Sequence, residues 1–399
     1  MVLVGRVRGR LARSSGRWVS FLLAAIVVTG CTSSAAEGGP SSPATTSSEP
    51  PKPVLLALSV SDDEEDVEPG QPVTVRAEYG AITKASLIGK HGTHVKDDLR
   101  SDGTFWTTTE PLGYGKTYTL TVEAKGEDGK TVTEESTFTT ATPDRTVAVS
   151  INVWDDETVG VGMPLIFTFT GPVPDRDAAE DAITITADPE TEGDFRWFGD
   201  SQVIWRPKEY WEPGTEVTID AEIYGKDFGE GTFGAEDKTV SFTVGDKLVA
   251  VADGKSHKLT VSINDKKVKT MPISMGKPST PTPKGIYTVM SEHNWYTMDS
   301  GTYGVPADSP GGYRLDVEYA VRLSNSGIFY HSAPWSLGDQ GRTNVSHGCI
   351  NLSTENAAWL MNKSNRGDLF EVRNSGGPEL DPTDGWSVWQ LSWEEWRSQ

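Results

Sequence analysis

The segment Ser346-His347-Gly348-Cys349-Ile350-Asn351 holds one of only two cysteines in 399 residues and sets it directly after His-Gly. Near neutral pH a thiol is mostly protonated, and its thiolate is the nucleophile, so a useful cysteine needs a base within reach. Two histidines are available: His347 in the same segment and His331 in Phe329-Tyr330-His331-Ser332-Ala333-Pro334-Trp335. Strand alternation lets a residue on a neighbouring strand face the sulfur more easily than one in the same tight turn, which makes His331 the general base. Gly348 admits a substrate carbonyl close to the backbone, and its amide and that of Cys349 are natural oxyanion donors. Ser346 and Asn351 would fix the turn or orient the histidines, and Ser332, through its hydroxyl or its carbonyl, would hold the His331 ring. The chemistry such a set could do is attack by a base-activated thiol on a carbonyl carbon.

The other cysteine has a different setting. Arg6, Arg8, Arg10, Arg13 and Arg17 precede the apolar run Trp18 to Val28, which ends in Val28-Thr29-Gly30-Cys31. This reads as a secretory leader over residues 1–30, and the Val-Thr-Gly-Cys ending resembles a bacterial lipobox with Cys31 as the lipidated mature N-terminus. With Cys31 acylated, Cys349 has no partner, and one unpaired thiol in an exported chain points to reactive chemistry. The formal charge of −21 and pI near 4.7 exclude the clustered cations of a nucleic-acid binder. Loss of residues 1–30 removes five arginines and no acid, which takes the charge to −26. Residues 31–53, rich in Ser, Pro, Gly and Thr, read as a flexible tether reaching about 25 Å as a coil. The expected location is the extracytoplasmic face of the membrane, anchored there and reaching into the wall.

The elements that must position the thiol are mainly β. A third domain, 246–374, opens with alternating segments in KLVAVADG, KSHKLTVSIND and KKVKTMPISMG. A helix is predicted over Thr354–Lys363 with Ser353 as N-cap and Gly367 just past its end, and 367–374 reads as a closing strand. Ahead of it, residues 54–144 and 145–245 hold short alternating segments separated by turns, the pattern of antiparallel β-sandwiches. Pro72 and Pro164, then Phe138 and Phe242, mark a weak repeat that reads as two immunoglobulin-like domains in tandem, with a spacer or docking role. His91 and His94 lack a third and fourth ligand and read as surface histidines. The acidic run 61–68 reads as a solvated turn. In the tail, 375–399, Trp386, Trp389, Trp393 and Trp396 fall on one helical face, predicted to dock on the chain's own domains.

His331-Ser332 followed by Ser346-His347-Gly348-Cys349-Ile350-Asn351 resembles the L,D-transpeptidase (YkuD-like) signature. With the lipobox and paired sandwiches, the whole chain is similar to the multi-domain cell-envelope enzymes of that family from actinobacteria. The resemblance implies attack on the bond between the third residue of a peptidoglycan stem peptide and its terminal D-Ala. Cys349 would be acylated, and an amine of a second stem would resolve the thioester into a 3→3 cross-link. It implies Cys349 as nucleophile, His331 as base and Ser332 as its orienting neighbour, with His347, Gly348 and Asn351 completing the motif. Met298, Tyr303 and Tyr313 match the family's substrate flap, Trp335 an aromatic wall, and the Gly- and Pro-rich 301–312 a mobile lid. Ile350 stands where family members use Leu. No metal and no organic cofactor is needed, and carbapenem β-lactams are expected as covalent inhibitors. An L,D-carboxypeptidase, or another cell-wall transferase using the same thioester, is the alternative, and a non-catalytic wall-binding lipoprotein a further one.

Overall fold

The computed structural model describes residues 50–310 and 312–398, so the leader, Cys31 and most of the tether lie outside the described residues. Alternation in the first block builds two four-stranded sheets. One orders Leu55–Leu58, Thr74–Glu78, Phe105–Thr108 and Asp97–Leu99; the other orders Glu64–Val67, Thr131–Thr140, Thr117–Gly126 and Gly80–Gly89. Val75, Trp106, Leu120 and Phe138 fill the space between them. The second block repeats the plan, with Phe167, Val203, Ile219 and Phe242 in its core. Each such side chain contributes about 1.5–3 kcal/mol by leaving water.

The repeat is visible in the hydrogen bonds. Phe138 sits opposite Glu64 in a parallel pair, and Phe242 sits opposite Glu157 in another. In both sandwiches the acidic run makes the turn into that pair. Ser61 N–H donates to Glu64 Oε2 (2.7 Å) and Thr137 N–H to Asp62 Oδ1 (2.8 Å); Trp154 N–H donates to Glu157 Oε2 (3.0 Å) and Ser241 N–H to Asp155 Oδ1 (3.0 Å). Asp63 and Asp156 both take left-handed φ, 57° and 59°. The acids of 61–68 therefore satisfy backbone donors at a strand entry. His91 and His94 lie exposed on the turn after Gly80–Gly89.

The third block forms a five-stranded sheet, ordered Lys266–Pro272, Lys258–Ile263, Leu248–Asp253, Leu369–Arg373 and Gly285–Thr288. A four-stranded sheet orders Ser291–Asp299, Arg314–Arg322, Phe329–Ser332 and Ile350–Leu352. The helix Thr354–Met361 begins at Ser353, whose side chain accepts from Asn356 N–H, and packs on the last-named sheet. It stops at Asn362, short of Lys363, and the chain turns through Gly367 at φ 93° into Leu369–Arg373.

The second sandwich packs directly against the third block. Gly160 and Gly162 N–H donate to Arg366 O (2.7 Å) and Gly367 O (2.8 Å), and a Cβ on Gly160 would lie 2.2 Å from Asp368 N. Arg366 Nη1 grips Glu157 (2.9 and 3.1 Å), while Leu369 enters the sandwich core. The tail closes the same joint, in a form that corrects the single-helix reading. A 3-10 turn, Val388–Gln390, is followed by Leu391 in extended backbone, and a separate helix, Trp393–Arg397, starts from a Ser392 capping box. Ser392 offers the chain a fresh N-cap, so the helix restarts there instead of continuing. The tail still docks: Trp389 Nε1 donates to Gly162 O (2.8 Å) and Trp396 Nε1 to Asp194 O (2.9 Å).

Candidate active site

His331 lies on Phe329–Ser332, in parallel register with Asn351 on Ile350–Leu352. Cys349 immediately precedes that second strand. Period-two alternation then sorts the side chains. Tyr330 and Ile350 point into the main core, whereas His331, Asn351 and Cys349 line one cleft of about 340 Å³ on the other face. Met298, Tyr313, Trp335, Ser346 and His347 line the same cleft. Nine of the residues singled out from the sequence are thus brought together or held against the site, counting Gly348 in the turn itself; Ser332 and Tyr303 are treated below.

The turn carrying the thiol is clamped from both sides. Ser346 Oγ donates to Cys349 O (2.6 Å) and accepts Gly348 N–H (3.1 Å); Thr282 Oγ1 donates to Gly348 O (2.6 Å). Gly348 adopts φ 136°, where a side chain is strained, and a Cβ there would meet Ile328 Cδ1 at 3.0 Å. This corrects one expectation: the Gly348 amide is engaged by Ser346 and is not an open oxyanion donor. The Cys349 N–H takes no backbone partner in turns or loops among the described residues.

His331 is 5% exposed and Cys349 8%. The His331 Nδ1–H donates to Ser332 O (2.8 Å), which fixes the tautomer and leaves Nε2 as the basic nitrogen. Ser332 orients the ring through its carbonyl; its hydroxyl is 2.7 Å from Thr354 Oγ1 at the start of the helix, away from the histidine. Burial pushes the His331 pKa below its ordinary value, against the weaker upward pull of that hydrogen bond. Burial pushes the Cys349 thiol up to about 11, the Phe329 amide opposing it, and the sulfur donates to Gly327 O at 3.5 Å. The resting pair is therefore neutral thiol and neutral imidazole. A preformed thiolate–imidazolium couple is what this buried setting disfavours.

His347 turns outward. Its Nε2 faces Lys277 Nζ at 3.1 Å and its ring stands 5.4 Å from Tyr313; burial and then Lys277 lower its pKa. Asn351 Nδ2 donates to Ser336 Oγ (3.1 Å). Trp335, 58% exposed, stacks on His331 with centroids 5.9 Å apart. Met298 and Tyr313 pack with Cys349 in a small apolar cluster. The base of the segment 301–312 is tied by Tyr313 N–H to Ser300 Oγ (2.8 Å) and Ser300 N–H to Tyr313 O (3.0 Å). Tyr303 ends the 3-10 turn Ser300–Tyr303, and its side chain lies outside the described residues. Sequence reasoning missed Gly327, Thr282, Ser336, Lys277 and Asp339, all set around the thiol by turns with no motif of their own.

Residues 247–372 match the family described as L,D-transpeptidase catalytic domain, and residues 64–227, which run through both sandwiches, match the bacterial Ig domain. The chain is 45% identical over 343 residues to L,D-transpeptidase 2 of Mycobacterium tuberculosis, covering 86% of this chain and 84% of that protein. It is 36% identical over 352 residues to L,D-transpeptidase 5 of the same species, covering 86% and 76%. The solved structure of LD transpeptidase LdtMt1 in complex with imipenem is 43% identical, covers 56% of this chain and 98% of that one, and superposes with a TM-score of 0.50. The clamped thiol, its neighbouring imidazole and these matches make one assignment: the chain belongs to the L,D-transpeptidase family.

Proposed function

We propose that the chain cross-links peptidoglycan stem peptides 3→3 through a thioester on Cys349. The observation that carries this is the shared cleft of Cys349 and a His331 whose tautomer is set by Ser332 O. His331 Nε2 takes the thiol proton as sulfur attacks the carbonyl carbon of the third stem residue. The Cys349 amide supports the negative charge on that oxygen. The C–N bond breaks, and the imidazolium returns the proton to the amine of the leaving D-Ala. A side-chain amine of a second stem then attacks the thioester, releasing the thiol. Met298, Tyr313 and Trp335 wall the stem in; Tyr303 belongs to the same flap segment.

Lipidation at Cys31 and residence on the outer face of the membrane belong to the same proposal, supported by the basic, apolar and Val-Thr-Gly-Cys order of the leader. A carbapenem presents a strained acyl carbonyl to the same sulfur, so imipenem should add to the protein one-to-one. Peptide mapping after incubation should place the adduct on Cys349 and find none in Cys349→Ala. An adduct that survives that substitution would contradict the assignment of the nucleophile.

A further inference from the structure

We propose that Asp339, with Trp335, is the subsite that receives the ammonium of the acceptor stem and so selects an amine over water for the second half-reaction. The inference rests on the transpeptidase reading above and deepens it. After the 3-10 turn Pro334–Ser336, Leu337 continues in helical backbone, and Asp339 and Gln340 N–H both donate to Ser336 O (3.0 Å each). Trp335 sits in the 3-10 turn and Asp339 in the turn that follows it. Both line the cleft that holds Cys349 and His331.

The Asp339 carboxylate takes no hydrogen bond or ion pair among the described residues. Arg342, three residues on, lines a separate hollow with His257 and Asn344. Lys277 Nζ stands 3.1 Å from His347 Nε2, whose ring faces Tyr313. The wall of the cleft thus carries a carboxylate and an exposed indole, with no lysine or arginine among the described residues that line it.

The two nucleophiles that could resolve the thioester differ in charge. An aliphatic amine is an ammonium at neutral pH, with a pKa of about 10.4, and water is neutral. A carboxylate and an indole face both attract an ammonium and do little for water. The bound ammonium sheds one proton to solvent. The free amine attacks the thioester carbon, His331 Nε2 takes the second proton as the N–C bond forms, and the C–S bond breaks. The thiolate regains that proton from His331, which closes the cycle with no oxidant or further reactant.

The test uses the purified full chain. A tetrapeptide donor with its side-chain amine blocked is combined with a titrated tripeptide acceptor ending in meso-diaminopimelate, and dimer and tripeptide products are separated at two ionic strengths. Asp339→Asn should raise the apparent KM for the acceptor about five- to tenfold, with a smaller change in kcat at saturating amine. It should also weaken the salt dependence of that KM. Asp339→Glu should recover most of the loss, and the charge-matched Glu190→Gln, on a distant surface, should match the parent. An acceptor KM and salt dependence in Asp339→Asn equal to the parent's would overturn the subsite. A parent enzyme that yields tripeptide and no dimer would overturn the transpeptidase reading instead, and the two failures are distinct.

Discussion

Replacement of His331 by Gln should slow acylation of Cys349 by about 10³- to 10⁴-fold at pH 7. The size of the effect follows from the thiol's setting. With its pKa pushed up to about 11 by burial, only a fraction on the order of 10⁻⁴ is thiolate at pH 7, so little reaction proceeds without a base. The pH profile carries the sharper signature. For a thiol held above its ordinary value, the charged form grows as pH rises, so the Gln variant should gain about tenfold in rate per pH unit until it nears 11. The parent enzyme should be flat through neutrality and fall only on the acid side, once His331 protonates below the ordinary imidazole value. Stopped-flow fluorescence of imipenem acylation from pH 5 to about 10 would follow both curves. A flat alkaline limb in His331→Gln would mean that the thiolate is already present at rest.

The second large effect is on stability and lies far from the cleft. Trp396 is fully buried, donates to Asp194 O, and stands with Trp389 and Trp393 around the Arg206 guanidinium at 4.9, 4.7 and 5.6 Å. Arg206 is itself 2% exposed; burial draws its pKa down to about 10, which still leaves it charged at neutral pH, and its Nη2 donates to Leu391 O. Trp396→Ala removes the ring that closes this cage, and the lost contacts and cavity together should cost about 3–5 kcal/mol. Urea unfolding checks it, with Trp396→Phe recovering part of the loss. A cost below about 1 kcal/mol would mean that the tail packs without holding. The tail also touches the catalytic sheet, where Gln390 Nε2 donates to Ile286 O (2.7 Å), so it straps the second sandwich to the domain that carries the thiol.

What could be read from sequence and what could not divide along physical lines. His331 and Cys349 were legible because chemistry limits the residue types and strand alternation fixes the face. The two sandwiches were legible through repeated strand patterns, and the structure adds the matching Glu64–Phe138 and Glu157–Phe242 pairs. The thiol's protonation state was not legible, because it depends on burial by residues distant in sequence. Ser332 was assigned to the right ring, but the choice between its hydroxyl and its carbonyl needed the position of Thr354. The tryptophan spacing announced a buried face, yet spacing alone cannot see an extended Leu391 between two short helical pieces. Asp339 carries no motif and gains its meaning only when the turn after Pro334 swings it to the cleft.

The most direct test of the account supplies the purified chain with an unblocked stem tetrapeptide alone and identifies the products by mass spectrometry. Release of D-Ala together with a dimer joined from third residue to third residue, and neither product from Cys349→Ala, is the predicted result. Dimer formed by the Cys349→Ala protein, or intact tetrapeptide recovered from the parent, would contradict it.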